Sequence, residues 1–202
     1  MSQIKLKHSG GNGVIIAAPS SNPAADRTLL LPGDGDSTID TLARAGNILQ
    51  VVQTFKTDSV SITSSSYVDI TGMTLSITPQ SSSNKILLDV NLNAGGGNNM
   101  YAGINVMRDS TAIGVSTAMS LSSQVNASFA AYTDSGGNSD VKAYNFGFRH
   151  LDSPNTTSAT TYKLQVYTRS AVEFTLNRPT ENDNEVYMIG QTSAITAYEV
   201  AA

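Results

Sequence analysis

Two histidines, His8 and His150, and no cysteine are what this 202-residue chain offers for imidazole or thiol chemistry. A serine nucleophile would have to draw its base from one of those two, and no Gly-x-Ser-x-Gly elbow occurs. His8 sits in a glycine-rich stretch, which favours a solvated or inter-chain role, and nothing in the spacing of the two imidazoles suggests a metal site. Glu181, Asp183 and Glu185 alternate with Asn182 and Asn184. Clustered oxygens suit calcium, but the spacing lacks the Asp-x-Asp-x-Asp-Gly run and distant Glu of an EF-hand, and a solvated acidic turn is the plainer reading. Asp34 and Asp36 around Gly35 read the same way. Gly95, Gly96 and Gly97 precede Asn98 and Asn99 rather than the Lys and Ser of a phosphate loop. Asn126 and Asn155 open short glycosylation-type triplets. Paired carboxylates for glycoside hydrolysis need only meet in space, so the sequence leaves them open. Tyr144, Phe146, Phe148 and His150 share one face at a spacing of two. They read as core packing with His150 at the wet end, or as an aromatic platform for a sugar.

The elements that would position these residues are strands. Ile86, Leu88, Val90 and Leu92 alternate with Asp89, Asn91 and Asn93, and Val172, Phe174 and Leu176 repeat the pattern. A period of two marks a strand with one buried and one wet face. Strands are expected near 49–56, 67–77, 86–93, 101–107, 127–133, 143–150, 161–168, 172–177, 186–190 and 195–200. Turn clusters lie between them at 81–84, 95–99, 134–139, 152–155 and 180–184. Apolar parity shifts between Ile70 and Met73, and Gly72 at the shift predicts a bulge. Residues 107–121 read as a strand pair around Gly114 or as a loop. No repeat of 20–50 residues is present, which argues against a solenoid or propeller. The pattern predicts an all-β fold, an antiparallel β-sandwich of jelly-roll type, over 47–202.

Residues 1–46 read differently from the rest and are too small to bury a core alone. Two short extended pieces, 14–18 and 28–31, are joined by Pro- and Gly-rich turns, and a two-turn helix is expected over 38–45, ended by Gly46. Leu29, Leu30 and Leu31 in a row need cover from another surface.

Charged residues make up 14% of the chain, and the net charge is −4. Clustered cations for nucleic acid are missing. No apolar run approaches the ~20 residues that span a bilayer, so no membrane insertion is expected, and no secretory h-region is read near the start. Without cysteine there are no disulfides, and oligomerisation is the usual substitute. No cofactor, metal or catalytic residue is assigned.

The segments MSQIKLKHSGGN (1–12) and AAPSSNPAADRTLLLP (17–32) resemble the N-terminal module of virion fibre proteins from phages of marine cyanobacteria. GNILQVVQ (46–53), ITPQSSSNKILL (77–88) and ITAYEV (195–200) are similar to later parts of such proteins. Residues 95–139 show no such likeness. The resemblance implies a homotrimer carried on the virion, assembled in the host cytoplasm and exposed on the particle. Residues 1–46 would meet other virion proteins, and a β-sandwich knob would point outward. Val14, Ile16, Leu29, Leu30 and Leu31 would then be the inter-chain and attachment residues.

The leading expectation is a non-enzymatic tail fibre or appendage that touches a host cell-surface glycan or protein. Binding sites on sandwiches often lie in end loops, which selects Asn98, Asn99, Asp134, Asn138, Asp152 and Asn155 as candidate receptor contacts. Alternatives are a capsid decoration, cement or head-fibre protein, and a polysaccharide-cleaving enzyme with two carboxylates facing across a cleft.

Overall fold

The alternation at Ile86, Leu88, Val90, Leu92 and Ala94 is the spine of the fold. All five side chains are buried on β6 (Lys85–Gly96), and most of the residues between them keep partial exposure. The structure, a computed structural model, describes residues 3–7, 10–11, 13–17, 44–97, 99–133, 141–186 and 188–202. The chain divides into two compact units, Met1–Ile39 and Asp40–Ala202.

In the first unit β1 (Gln3–Lys7) and β2 (Gly13–Ala17) pair antiparallel, with Gln3 opposite Ala17 and Lys7 opposite Gly13. β2 matches the expected piece at 14–18. β1 was not expected, because QIKLK alternates over too few residues to stand out. Residues 28–31, with Leu29, Leu30 and Leu31, lie outside the described residues. So do residues 38–43 of the expected helix.

In the second unit the remaining strands are β3 (Ile48–Lys56), β4 (Val60–Ile62), β5 (Val68–Ile77), β7 (Tyr101–Arg108), β8 (Thr111–Ile113), β9 (Phe129–Tyr132), β10 (Ala143–Asp152), β11 (Thr160–Thr168), β12 (Phe174–Leu176) and β13 (Ser193–Val200). One sheet runs β3-β13-β6-β10, with β12 and β4 continuing beyond β13 along the same flank of β6. The other runs β5-β11-β7, and both β8 and β9 pair with the far side of β7. Leaving aside the short β4, β8 and β12, successive strands are shared between the sheets as β3, β6, β10, β13 and β5, β7, β9, β11. That is the jelly-roll order, two antiparallel sheets packed face to face.

The core lies between the sheets. Ile70, Met73, Leu75 and Ile77 of β5, Ile104 and Val106 of β7, and Tyr162, Leu164 and Val166 of β11 meet the buried face of β6, Phe174, Leu176, Ile195 and Ala197. The parity shift in β5 is a bulge. Pairing with β11 jumps between Lys163 and Gln165, and Gly72 takes φ +82°. A left-handed residue there returns Met73 to the core face that Ile70 occupies.

Two expectations are corrected. Residues 186–190 form no strand among the described residues; Val186 is 98% exposed and Ile189 is 64% exposed. β12 and β13 already fill that flank of β6, so the segment cannot pair there. Residues 107–121 contain a strand pair, but the hairpin of β7 and β8 turns at Asp109, φ 52°, not at Gly114. The segment from Gly114 to Ser128 is an irregular connection. Among the described residues no helix is long and apolar enough to cross a membrane.

Candidate functional site

Ala102, Ile104 and Ala131 point into the core, so Tyr101, Gly103, Ala130 and Tyr132 face outward from the second sheet. Tyr101 and Tyr132 are direct cross-strand partners, 43% and 45% exposed, with ring centroids 4.8 Å apart and planes tilted by 45°. Beside them Tyr167 of β11 stands opposite Gly103. Its ring lies 5.7 Å from that of Tyr67. Gly103 makes room for this arrangement, because a Cβ there would fall 2.8 Å from the Tyr67 hydroxyl. That hydroxyl donates to the Asn126 carbonyl at 3.3 Å. Burial, and secondarily Tyr167, push the Tyr67 phenol above its ordinary range.

The connection from Gly114 to Ser128 builds one wall. The Asn126 side chain bonds both ways to Met119, donating to its carbonyl at 2.9 Å and accepting from its N–H at 3.2 Å. Ser128 anchors the end, donating to the Ile113 carbonyl at 2.7 Å and accepting from the Val106 N–H at 2.9 Å. The opposite wall is the 3-10 turn Arg169–Ala171, where Ser170 and Ala171 take φ 57° and 52°. Two successive non-glycine residues in the left-handed region cost of order 1–3 kcal/mol each and persist where surroundings impose them. Beside them the Arg169 guanidinium lies 5.4 Å from the centre of the Tyr101 ring.

The result is an open groove of about 840 Å³, within the ~300–1,000 Å³ typical of ligand clefts. Its described lining is aromatic (three tyrosines and Phe129), apolar and neutral polar, with Arg169 as the one charged residue among them. Stacked rings, hydroxyls and amides can hold a ligand with an apolar face and polar edges. No described residue of the groove is a carboxylate that could act on a glycosidic bond.

The expected contact residues fall in several places. Asn99 is exposed, at φ 59°, and shares a smaller hollow with Tyr101, Arg169, Ser170 and Val172, so it borders the groove. Asn155 is exposed with φ 53°, but it does not line the groove. Asp152 is a correction. It is 5% exposed, accepts from the Tyr162 hydroxyl at 2.6 Å and pairs with Arg108 at 2.8 Å, so it ties three strands together and cannot meet a receptor. Burial and the Asp152 bond push the Tyr162 phenol well above its ordinary value. Asn98, Asp134, Asn138 and His8 lie outside the described residues. Val14 and Ile16 are on β2, opposite Leu6 and Ile4.

Tyr144, Phe146, Phe148 and His150 alternate on the inward side of β10. Phe146 and Phe148 pack on the core, and Phe148 stacks between Phe129 at 5.6 Å and His150 at 6.0 Å. The core reading therefore holds over the sugar platform. Among the described residues no three His, Asp or Glu gather as metal ligands. The sequence reading missed Tyr101, Tyr132, Tyr167, Arg169 and Asn126. A usable signal was present: Tyr101 and Tyr132 stand on the opposite parity from Ala102, Ile104 and Ala131, which puts aromatic rings on a wet face.

The first sheet also carries an outward feature. Val51, Tyr198, Leu87 and Leu151 are successive cross-strand partners over β3, β13, β6 and β10. This apolar row ends in Val51 and Leu151, 54% and 53% exposed, and Phe55 four residues along β3 is 60% exposed. Beside the row, Arg149 pairs with Asp89 at 2.9 Å, and Gln53 donates to Thr196 at 2.9 Å.

No family model matches the chain, and no curated protein matches it. Among solved structures it is similar to a chain of infectious bursal disease virus Gt strain, at 15% identity and a TM-score of 0.42. That match covers 95% of this chain and 48% of the viral one. It is also similar to the tripod from the baseplate of bacteriophage Tuc2009, at 12% identity and a TM-score of 0.35, covering 92% of this chain and 83% of that one. The chain spans about half the length of the bursal disease virus chain it matches. These values are too low for the likeness to bear on what this chain does.

Proposed function

We propose that the chain is a non-enzymatic virion structural protein of a bacteriophage, a trimeric tail fibre or appendage whose jelly-roll unit contacts the host surface. The observation that carries this reading is the tyrosine groove on the outer face of the second sheet. It is built to hold a ligand, and its described residues include no acid–base pair. The resemblance of residues 1–12, 17–32, 46–53, 77–88 and 195–200 to cyanophage fibre proteins supports the virion assignment. The apolar row on the first sheet supports contact between copies, since exposed apolar patches of this kind mark association surfaces. Ligand and partner copy would then use opposite faces of the sandwich. Trimeric presentation makes binding multivalent, so weak single contacts hold a particle. Residues 1–46 would anchor the protein to other virion proteins.

The test is competition. Host cells are preincubated with purified chain, and adsorption of phage is counted. Blocked adsorption is the expected result. Full adsorption at saturating protein overturns the host-contact role.

A further inference from the structure

We propose that the tyrosine groove binds an acidic saccharide, with Arg169 receiving a sugar carboxylate and the Tyr101–Tyr132 pair stacking on a sugar ring. The proposal rests on the host-contact reading above and names the ligand chemistry of that site.

Arg169 differs from the other arginines described in detail. Arg108 and Arg149 are committed to the carboxylates of Asp152 and Asp89, and Arg178 donates to the carbonyls of Pro179 and Thr180. Arg169 faces a ring, and among the described residues no carboxylate pairs with it. A guanidinium lying over an aromatic face keeps its edge N–H groups free, and those form the fork that matches a planar carboxylate. Arg169 is exposed at the rim of the groove, with its guanidinium over the Tyr101 ring, so its charge is open to a ligand there. The tilted tyrosine pair beside it offers ring faces to the C–H side of a pyranose, and Asn99, Ser116 and Ser123 around the rim offer hydrogen bonds to hydroxyls. In a chain of net charge −4, this groove has one cation and no anion among its described residues. That charge pattern selects an anionic ligand, and a single cation is too little for a polynucleotide backbone.

The probes are trigalacturonate, a uronate trimer from alginate, their neutral galactotriose counterpart and a sulfated galactotriose. Binding to the full chain is followed by calorimetry and by tyrosine emission, which tryptophan does not mask because there is none among the aromatic residues. We expect at least one uronate trimer to bind about tenfold more tightly than the neutral sugar. R169Q should remove that preference, bringing the uronate to parity with the neutral sugar, whereas Y132A should weaken both by up to about tenfold and keep the preference. Tyr132 is half exposed, so unchanged thermal melting should accompany its substitution; Y132F serves as a second variant that keeps the ring. No uronate binding, equal binding of uronate and neutral sugar, a preference that survives R169Q, or tighter binding of the sulfated sugar would each overturn the proposal. Adsorption separates this from the host-contact reading. If wild-type chain blocks phage but R169Q and Y132A block equally well, the groove assignment fails and host contact stands. If the chain binds uronates as expected but never blocks phage, the groove stands and the host-contact role fails.

Discussion

The side-chain amide of Asn84 donates to the carboxylate of Glu199 at 2.6 Å, across 115 residues of sequence. Gln50 donates to the other oxygen of the same carboxylate at 2.5 Å, and the Gln80 N–H donates at 2.7 Å. These partners come from the three separated stretches 46–53, 77–88 and 195–200. A likeness scattered along the chain is thus gathered at one buried carboxylate, where β13 meets the start of β6. Glu199 is fully buried. A charge there is tolerable only because so many donors surround it.

Burial pushes Glu199 upward, but the donors Asn84, Gln50, Gln80 and Ser81 together hold it below its ordinary value of 4.5. A carboxylate lowered by folding contributes stability that is present above the unfolded value and lost as pH falls through the folded one. E199Q should therefore destabilise the protein by about 3 kcal/mol at neutral pH, because an amide sets N–H against the N–H of Asn84 or Gln50. It should also remove part of the acid sensitivity below about pH 4.5. Urea unfolding of both proteins from pH 3 to 7 measures both effects. An unchanged slope below pH 4.5 would reject this role.

The Asp152 cluster gives a contrast between two substitutions. Y162F removes one donor and should cost about 1–2 kcal/mol. D152A leaves the Tyr162 hydroxyl and Arg108 without their shared acceptor inside the sandwich, and should cost about 3–5 kcal/mol. Equal losses in denaturant titrations would show that Asp152 does not join the two.

Asn126 acts on the groove rather than on the core. N126A should release the wall at Met119, since both side-chain bonds go together. Amide exchange in residues 116–127 should speed up, while global stability falls by less than about 1 kcal/mol, as surface substitutions usually do. Global unfolding in step with the loop would contradict this division.

The apolar row on the first sheet is tested by charge. V51K and L151K introduce cations at its two exposed ends. Self-association measured by sedimentation should drop, with melting behaviour retained. Unaltered association would place the contact between copies elsewhere.

Much of the sandwich was legible because each long strand carries its own period. Ile86 to Ala94 alternate for five buried positions, and the exception in β5 announces itself through Gly72. β4 and β8 span three residues each and cannot display a period. The segment 186–190 has strand-like apolar residues, but its flank of β6 is already taken by β12 and β13, a fact only topology supplies. The groove was less legible. Three strands, one loop and a strained turn bring Tyr67, Tyr101, Tyr132, Tyr167 and Arg169 together across 102 residues, 67 to 169. End-loop reasoning reached only its rim, at Asn99. It also chose Asp152, whose acidic side chain next to a turn looks exposed until β10 is seen to run through it to its last residue.

The central claim is that this chain is part of a phage particle and is displayed toward the host. Gold-labelled antibody against the jelly-roll unit, applied to intact purified virions and viewed by electron microscopy, tests it most directly. The account predicts label at the outer ends of tail fibres or appendages. Label spread evenly over the head would contradict the host-contact role in favour of shell decoration, and unlabelled particles from a lysate that contains the protein would contradict the virion assignment itself.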